Sequence, residues 1–320
     1  MADSGQDTRA RLMLLDAASL YFRAFHGVPD RRSSSGQPPT NAVRGFLDMV
    51  ATLVTRYRPT HLVACWDDDW RPQFRVDLIP SYKAHRVAQE TAHEGVPDEQ
   101  EAPDELEVQV PVIARALEVL GIARVGVLGH EADDVIGSYA QQWSDRADVL
   151  VVTGDRDLFQ LVDDARGVRV LYTARGGVRD ADVVDEAFLT QKYRVADGTA
   201  YGQMSILRGD TSDGLSGVAG IGEKTAADLI ERFGTVEAVR VAAADPSSPG
   251  LTPARRRRIV EAADYLDVAG DVVLVRRGLE LPAAEPLLPI PDAAAFAAFA
   301  DEVGLGTTAD RVLAALTVTT

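Results

Sequence analysis

Residues 129–161 read GHEADDVIGSYAQQWSDRADVLVVTGDRDLFQL. Glu131, Asp133 and Asp134 open a stretch with helical apolar spacing. Val149-Leu150-Val151-Val152-Thr153 follows as a short apolar run of the kind a buried strand presents. That run passes straight into Gly154-Asp155-Arg156-Asp157 and a second expected helix. Acids therefore stand at a helix start and at a strand end in one contiguous stretch.

The same grammar recurs upstream. Arg11–Leu15 is apolar and ends on Asp16, before AASLYFRAFHG. Residue 16 reads equally as a helix N-cap or as a strand-end acid. Residues 41–57 have helical spacing, and His61–Trp66 is another short strand ending in Asp67-Asp68-Asp69. Ala123–Leu128 and Val168–Tyr172 read as further strands, Val108–Leu120 as a helix, and residues 27–40 as a loop. Strands alternating with helices predict an α/β fold with a mostly parallel central sheet flanked by helices. Ligands of such sheets bind beyond the carboxyl ends of the strands, where Asp16, Asp67 and Asp155 would converge.

Two stretches depart from this pattern. Residues 71–86 contain FRVDLIPSYKAHR, locally basic with aromatic residues interleaved, which a solvated amphipathic helix also explains. Residues 88–107 carry many acids and no Lys or Arg, and read as a solvated insertion. From about Asp197 the chain turns helical. There Gly217-Val218-Ala219-Gly220-Ile221-Gly222 forms a tight glycine turn before a helix bearing Lys224. A compact helix–helix turn would look the same, but glycines at a helix start also let backbone N–H groups approach an anion. Arg255–Arg258 opens a later helix, Val272–Arg277 reads as a strand, and residues 292–316 as an Ala-rich helical stretch.

Composition narrows the chemistry. Cys65 is the single cysteine, which leaves no disulfide framework and no cysteine-rich zinc site. No apolar run approaches the roughly 18 residues of a membrane span, and a cytoplasmic protein is expected. The net charge of −16 argues against a polyanionic partner unless basic patches act locally. Nine acids are candidates for one cleft: Asp16, Asp67, Glu131, Asp133, Asp134, Asp155, Asp157, Asp210 and Asp213. Crowded carboxylates raise one another's pKa, and hard divalent cations relieve that repulsion. An all-oxygen donor set points to Mg2+, with Mn2+ as a substitute. A pair of such ions about 4 Å apart suits phosphodiester hydrolysis.

LLDAASLYFRAFHG, FRVDLIPSYKAHR, GHEADDVIGSYA, TGDRDLFQLV and GDTSDGLSGVAGIGEKTA, in this order, resemble the bacterial 5'-3' exonuclease and flap endonuclease family. That family includes the N-terminal nuclease domain of DNA polymerase I. The resemblance covers roughly residues 11–280 and matches the stand-alone form. It implies a PIN-like or resolvase-like nuclease core with a helix-hairpin-helix region. The implied activity is metal-dependent cleavage of DNA at 5' flaps, nicks and 5' ends during replication and repair, with RNA primers as further substrates. By motif, Asp16, Asp67, Glu131, Asp133 and Asp134 would serve a first metal, and Asp155, Asp157, Asp210 and Asp213 a second. Asp134 and Asp155 are the acids expected to be catalytic. Lys83 and Arg86 match residues at the scissile phosphate, Tyr82 an aromatic that stacks on a base, and Arg23 a phosphate contact. Gly217, Gly220, Gly222 and Lys224 match the DNA-gripping hairpin, where a K+ ion is implied, and Arg255 and Arg256 add charge beside it.

The resulting division is a core over 11–195 with an arch over about 71–107, a helix-hairpin-helix region over 196–275, and a segment over 276–320 returning to the core. A monomer is expected. The alternatives are a non-catalytic DNA-structure binder of this fold and a PIN-type ribonuclease. A phosphatase built on a strand-end Asp pair is disfavoured, because Asp16-Ala17-Ala18 lacks the second acid.

Overall fold

The structure is a computed structural model that describes residues 9–32, 37–87 and 102–318. Most of the acidic stretch expected over 88–107, namely 88–101, lies outside the described residues. Six strands form one sheet: β1 (Ala10–Asp16), β2 (His61–Cys65), β3 (Ala123–Val125), β4 (Ala147–Thr153), β5 (Val168–Gly176) and β6 (Asp180–Val184). Their order is β3-β2-β1-β4-β5-β6. All neighbours are parallel except β5 and β6. That antiparallel edge strand was not legible in the sequence.

The middles of β1 (Leu12–Leu15) and β4 (Val149–Val152) are continuously apolar because both faces of the sheet are covered. Leu12 and Leu14 join one buried cluster, whereas Met13 and Leu15 join the other. The alternation follows from the two-residue period of a strand. Before β2, the chain forms α1 (Ala17–Gly27) and α2 (Asn41–Tyr57). Between β2 and β3 lie α3 (Gln73–Leu78), α4 (Asp104–Glu107) and α5 (Val110–Leu120). α6 (Ala132–Trp143) leads back to β4. Strand order therefore reverses between β1 and β4, and the crevice beyond their carboxyl ends is where such sheets bind ligands.

The remaining helices are α7 (Glu186–Tyr193), α8 (Gly198–Arg208), α9 (Glu223–Phe233), α10 (Val236–Ala244), α11 (Pro253–Glu261), α12 (Ala263–Val273), α13 (Ala293–Val303) and α14 (Thr307–Val318). Side-chain caps start several of them. Asp185 accepts from Phe188 N at 2.8 Å, and Asp197 from Ala200 N at 2.7 Å. Past α12 the chain returns to the core. Leu62 N donates to Pro286 O at 2.7 Å and Leu288 N to Thr60 O at 2.9 Å. Phe296, Phe299 and Leu316 complete the cluster that holds Phe46 and Leu47 of α2.

Three expectations need correction. Residues 272–277 form no strand: α12 runs to Val273, Leu274 N still donates to Gly270 O, and the N–H groups after it go to side chains rather than a ladder. Val275 N donates to Gln160 Oε1 at 3.0 Å, and Arg276 N to Asp134 Oδ1 at 2.8 Å. The helix expected after Asp155 is a single 3-10 turn over Asp157–Leu161. In the basic stretch, α3 spans six residues and stops ahead of Pro80, which cannot donate to a helix. The 292–316 stretch is helical as read, in two helices divided by Gly304 at φ +76°.

Candidate active site

Three strands deliver acid at one edge of the sheet. Asp16 ends β1 in register with Cys65 of β2, and Asp67 lies just beyond. Leu15 is in register with Val152 of β4, so Asp155 emerges beside them. Asp16 is both cap and cleft wall. Its Oδ1 accepts from Ser19 N at 3.1 Å while its Oδ2 accepts from the Thr153 hydroxyl at 2.6 Å. Thr153 Oγ1 accepts in turn from Asp155 N at 2.8 Å, so one hydroxyl sets both strand-end acids. Asp67 Oδ1 accepts from Ala132 N at 2.7 Å, which fixes it against the start of α6.

The opposite wall comes from the helical region. Asp210 and Asp213 sit on the tight turn after α8, facing Asp157. The cleft has a volume of about 420 Å³. Asp16, Asp67, Glu131, Asp133, Asp155, Asp157, Asp210 and Asp213 all line it, together with Lys83, Arg86 and Arg156.

Of the nine expected acids, Asp134 is the one that does not line it. Consecutive helix residues point about 100° apart, so Asp133 on the cleft side places Asp134 inward. Asp134 is fully buried, and its Oδ1 accepts from Arg75 Nη2 at 2.7 Å. Arg75 also bonds Glu131 through Nη1 and is itself buried. The sequence offered no local signal for Arg75, because its partners lie 56 and 59 positions away. Arg156 and Arg208 were missed likewise. Arg156 Nη2 is 3.1 Å from Asp210 Oδ2, and Arg208 Nη2 is 3.8 Å from Asp157 Oδ1.

Tyr82 departs from expectation. It is 4% exposed and donates its hydroxyl to Glu131 Oε2 at 2.8 Å, so no base can stack on it in this arrangement. Lys83 fits better: its Nζ bonds Glu131 and faces the cleft. Arg86 Nη2 is 2.5 Å from Asp213 Oδ1. The basic segment is tied to the acidic turn through backbone as well, with Lys83 N donating to Asp213 O at 2.9 Å.

Among the outlying residues, Arg23 donates to Ala174 O at 3.2 Å and does not line the cleft. Arg256 is spent inside the protein. It donates to the carbonyls of Ala243 at 3.1 Å and Ser248 at 2.9 Å, closing the end of α10. The glycine turn forms as read, with Gly217 at φ +62° and Gly220 at φ +71°. Gly222 caps α9 at φ −87° and needs no glycine on that account. Lys224 and Arg258 are exposed, and the Arg258 guanidinium lies directly over Gly220, where a Cβ would meet it at 1.7 Å.

Burial dominates the electrostatics of the cleft. It pushes Asp16 up to about 7, with help from the charges of Asp67 and Asp155 and against the Thr153 hydrogen bond. Burial raises Asp67 to about 6, and Glu131 and Asp134 add to that rise. Asp133 and Asp157 are pushed well above the carboxylate range by burial and by neighbouring acids. Asp210 is the exception. Its burial is outweighed by hydrogen bonds from Ser212 and Arg156, and it lies below the usual value.

Among the described residues, no three acids are drawn together tightly enough to hold a metal ion as they stand. Lys83, Arg86 and Arg156 hold several of them in pairs. The donor chemistry nevertheless fits a hard cation: the acids are oxygen-only, and Asp157 Oδ1 is buried with no hydrogen-bond partner. Binding would require those pairs to open and the carboxylates to turn inward.

Two family descriptions match the chain. Residues 11–194 match the 5'-3' exonuclease N-terminal resolvase-like domain, and residues 197–292 the 5'-3' exonuclease C-terminal SAM fold. A 5'-3' exonuclease of Streptomyces coelicolor is 55% identical over 307 residues, covering 95% of this chain and 100% of the relative. DNA polymerase I of Mycobacterium bovis is 37% identical over 284 residues, covering 86% of this chain but 29% of the polymerase. Among solved structures, the T5 D15 protein co-crystallised with metal ions shares the fold. It has a TM-score of 0.61 and 19% identity over 96% of this chain and 99% of that one.

Proposed function

The chain belongs to the 5'-3' exonuclease family and is a 5' nuclease, and from that premise we propose that the acidic cleft at the β1–β4 switch point is its hydrolytic centre. The observation that supports this most is the meeting of eight carboxylates from four strand ends and helix starts with the turn after α8. A purely structural role would leave so many crowded acids without a reason to stay together.

In this reading, Asp16, Asp67, Glu131 and Asp133 hold one divalent ion, and Asp155, Asp157, Asp210 and Asp213 hold a second. Mg2+ is the ion proposed, with Mn2+ as substitute. When bound, such ions supply Lewis acidity and a nucleophile available at neutral pH. The chain's own residues do the rest. Lys83 and Arg86 exchange their carboxylate partners for the non-bridging oxygens of the scissile phosphate. Thr153 fixes the orientation of Asp16 and Asp155, and Arg75 fixes Glu131 from beneath. Asp134 acts through Arg75 and has no direct part in the chemistry.

The substrate proposed is DNA with a 5' flap, nick or 5' end, RNA primers included, processed in replication and repair. The region over 196–275, with Gly217, Gly220 and Lys224 at its hairpin, grips the duplex backbone, and the turn's backbone carbonyls would hold a K+ ion. The core over 11–195 cuts, and the segment over 276–320 braces it. The enzyme works as a monomer in the cytoplasm. A 5'-labelled flap DNA and a matched single-stranded RNA, each incubated with Mg2+ or with chelator, test this. Release of short 5' products from DNA in Mg2+ alone is expected. Cleavage of RNA alone, or cleavage unaffected by chelator, would sink it.

A further inference from the structure

Two cavities outside the acidic cleft adjoin each other along α2 and α14. One, of about 690 Å³, is lined by Arg31, Arg44 and the Gly304–Thr308 corner. The other, of about 560 Å³, is lined by Arg56, Arg58 and Arg179 over a floor of Ala51 and Ala314. Asp48 and Arg311 line both, so the two make one groove. From Arg44 to Arg58 it follows α2 for 14 residues, or roughly 21 Å at 1.5 Å per residue.

The groove's charge is opposite to that of the chain, which carries −16 overall. Asp48 is neutralised by Arg311, whose Nη2 lies 2.7 Å away, and Glu302 by Arg115, also at 2.7 Å. Asp301 is the remaining acid in the lining. Against it stand five guanidinium groups, those of Arg31, Arg44, Arg56, Arg58 and Arg179, for which the described residues supply no carboxylate partner within ion-pair distance. Arg44 is the most telling of them. It is 9% exposed, and its Nε is buried with no hydrogen-bond partner. Burial and the nearby Arg31 charge lower its pKa more than the charges of Asp30 and Asp48 raise it, so the fold keeps two cations close with only partial compensation. A buried charge without an ion-pair partner is costly, and a counter-charge arriving from outside would relieve that cost.

We propose that the α2–α14 groove binds the phosphodiester backbone of the DNA substrate, at a site separate from the acidic cleft and from the glycine turn. Row-like guanidinium groups above a small-residue floor suit a rod of evenly spaced phosphates. The roughly 21 Å run spans about six base-pair rises of 3.4 Å along a duplex axis. The groove would also resolve the conflict between an acidic chain and a polyanionic substrate. This inference rests on DNA being the substrate, and the test separates the two.

Cys65 is buried, so a Thr55→Cys variant of the full chain presents one reactive thiol, inside the groove, for a photo-crosslinker. A Lys224→Cys variant serves as the reference position beside the glycine turn. Labelled flap DNA is added with chelator present, and poly-glutamate is the competing polyanion. Crosslinking to DNA from both positions is expected. In parallel, Arg58→Gln/Arg179→Gln, both at exposed positions, should flatten the slope of log affinity against log salt by about two. It should raise KM and leave kcat unchanged, as expected for loss of uniform binding. DNA captured at Lys224→Cys but not at Thr55→Cys, with an unchanged salt slope, overturns the groove and leaves the nuclease reading standing. Capture of poly-glutamate in preference to DNA at Thr55→Cys overturns it in favour of an acidic protein partner. No DNA at either position, with no cleavage by wild type, removes the nuclease reading and the groove together.

Discussion

Arg75 Nη2 lies 2.7 Å from Asp134 Oδ1, and both side chains are buried beneath the cleft floor. Removing one partner of a buried pair leaves an uncompensated charge and costs about 3–5 kcal/mol. Arg75→Met should therefore lower unfolding free energy by that order, read by denaturant titration. Asp134→Ala should lose stability similarly while its folded fraction keeps near-normal turnover. A fully folded Asp134→Ala protein with no activity would show that this acid does take part in the chemistry.

Asp155 offers the opposite case. Its side chain lines the cleft, and among the described residues its Oδ1 accepts one hydrogen bond, from the local Asp157 N at 2.8 Å. Asp155→Ala should abolish cleavage, leave melting temperature close to wild type, and retain flap binding in chelator. Wild-type turnover in this variant would refute the site assignment.

Lys83 pairs with Glu131, and that carboxylate's charge holds the Lys83 ammonium well above its usual pKa despite burial. Lys83 therefore stays cationic across the working pH range. Lys83→Ala should cut kcat by roughly 10²–10³ with little change in substrate Kd, if its charge acts on the transition state. A tenfold loss of affinity at normal turnover would make it a mere binding contact.

Gly214 has φ +73°, and a Cβ there would meet Ser81 O at 2.0 Å. The backbone of the Asp210–Leu215 turn thus packs directly on the segment that carries Lys83. Gly214→Ala should cost roughly 1–3 kcal/mol through strain and displacement. Turnover should fall along with melting temperature, because the turn and Lys83 move together. Unchanged turnover would mean that the two segments act independently.

The cleft acids predict a pH-dependent stability. Asp16 is held at about 7 and Asp67 at about 6, above the ordinary value of 3.8. The folded state therefore binds more protons than the unfolded chain, and stability falls as pH rises through the folded values. Metal-free protein should melt several degrees lower at pH 7.5 than at pH 5, on the order of 2–4 °C per kcal/mol. Divalent ions should restore the loss and release protons on binding, measurable by calorimetry in buffers of different ionisation enthalpy. A melting temperature that rises over this range in metal-free protein would contradict the raised values.

Much of this molecule was legible without coordinates. β1, β2, β4 and α2 follow from apolar period and length, because a strand covered on both faces must be apolar throughout. The strand-end acids followed from the same reading, since a residue that ends a parallel strand points into the crevice beyond it. Short-range signals did less well near the site. The 272–277 stretch looks like a strand, but Val272 and Val273 end α12, and the N–H groups of Val275 and Arg276 bond Gln160 and Asp134.

What the sequence determined alone was the α/β class, eight of the nine acids it singled out for the cleft, and the glycine turn, all carried by residue type and local spacing. Tertiary structure decided how those residues are used. Adjacent Asp133 and Asp134 separate into cleft and core by one helical step. Tyr82 and Arg256 turn inward, while Arg75 becomes the support of Glu131 from 56 positions away. Such roles depend on strand register and on which helix face meets which neighbour, and no local pattern encodes contacts over that range.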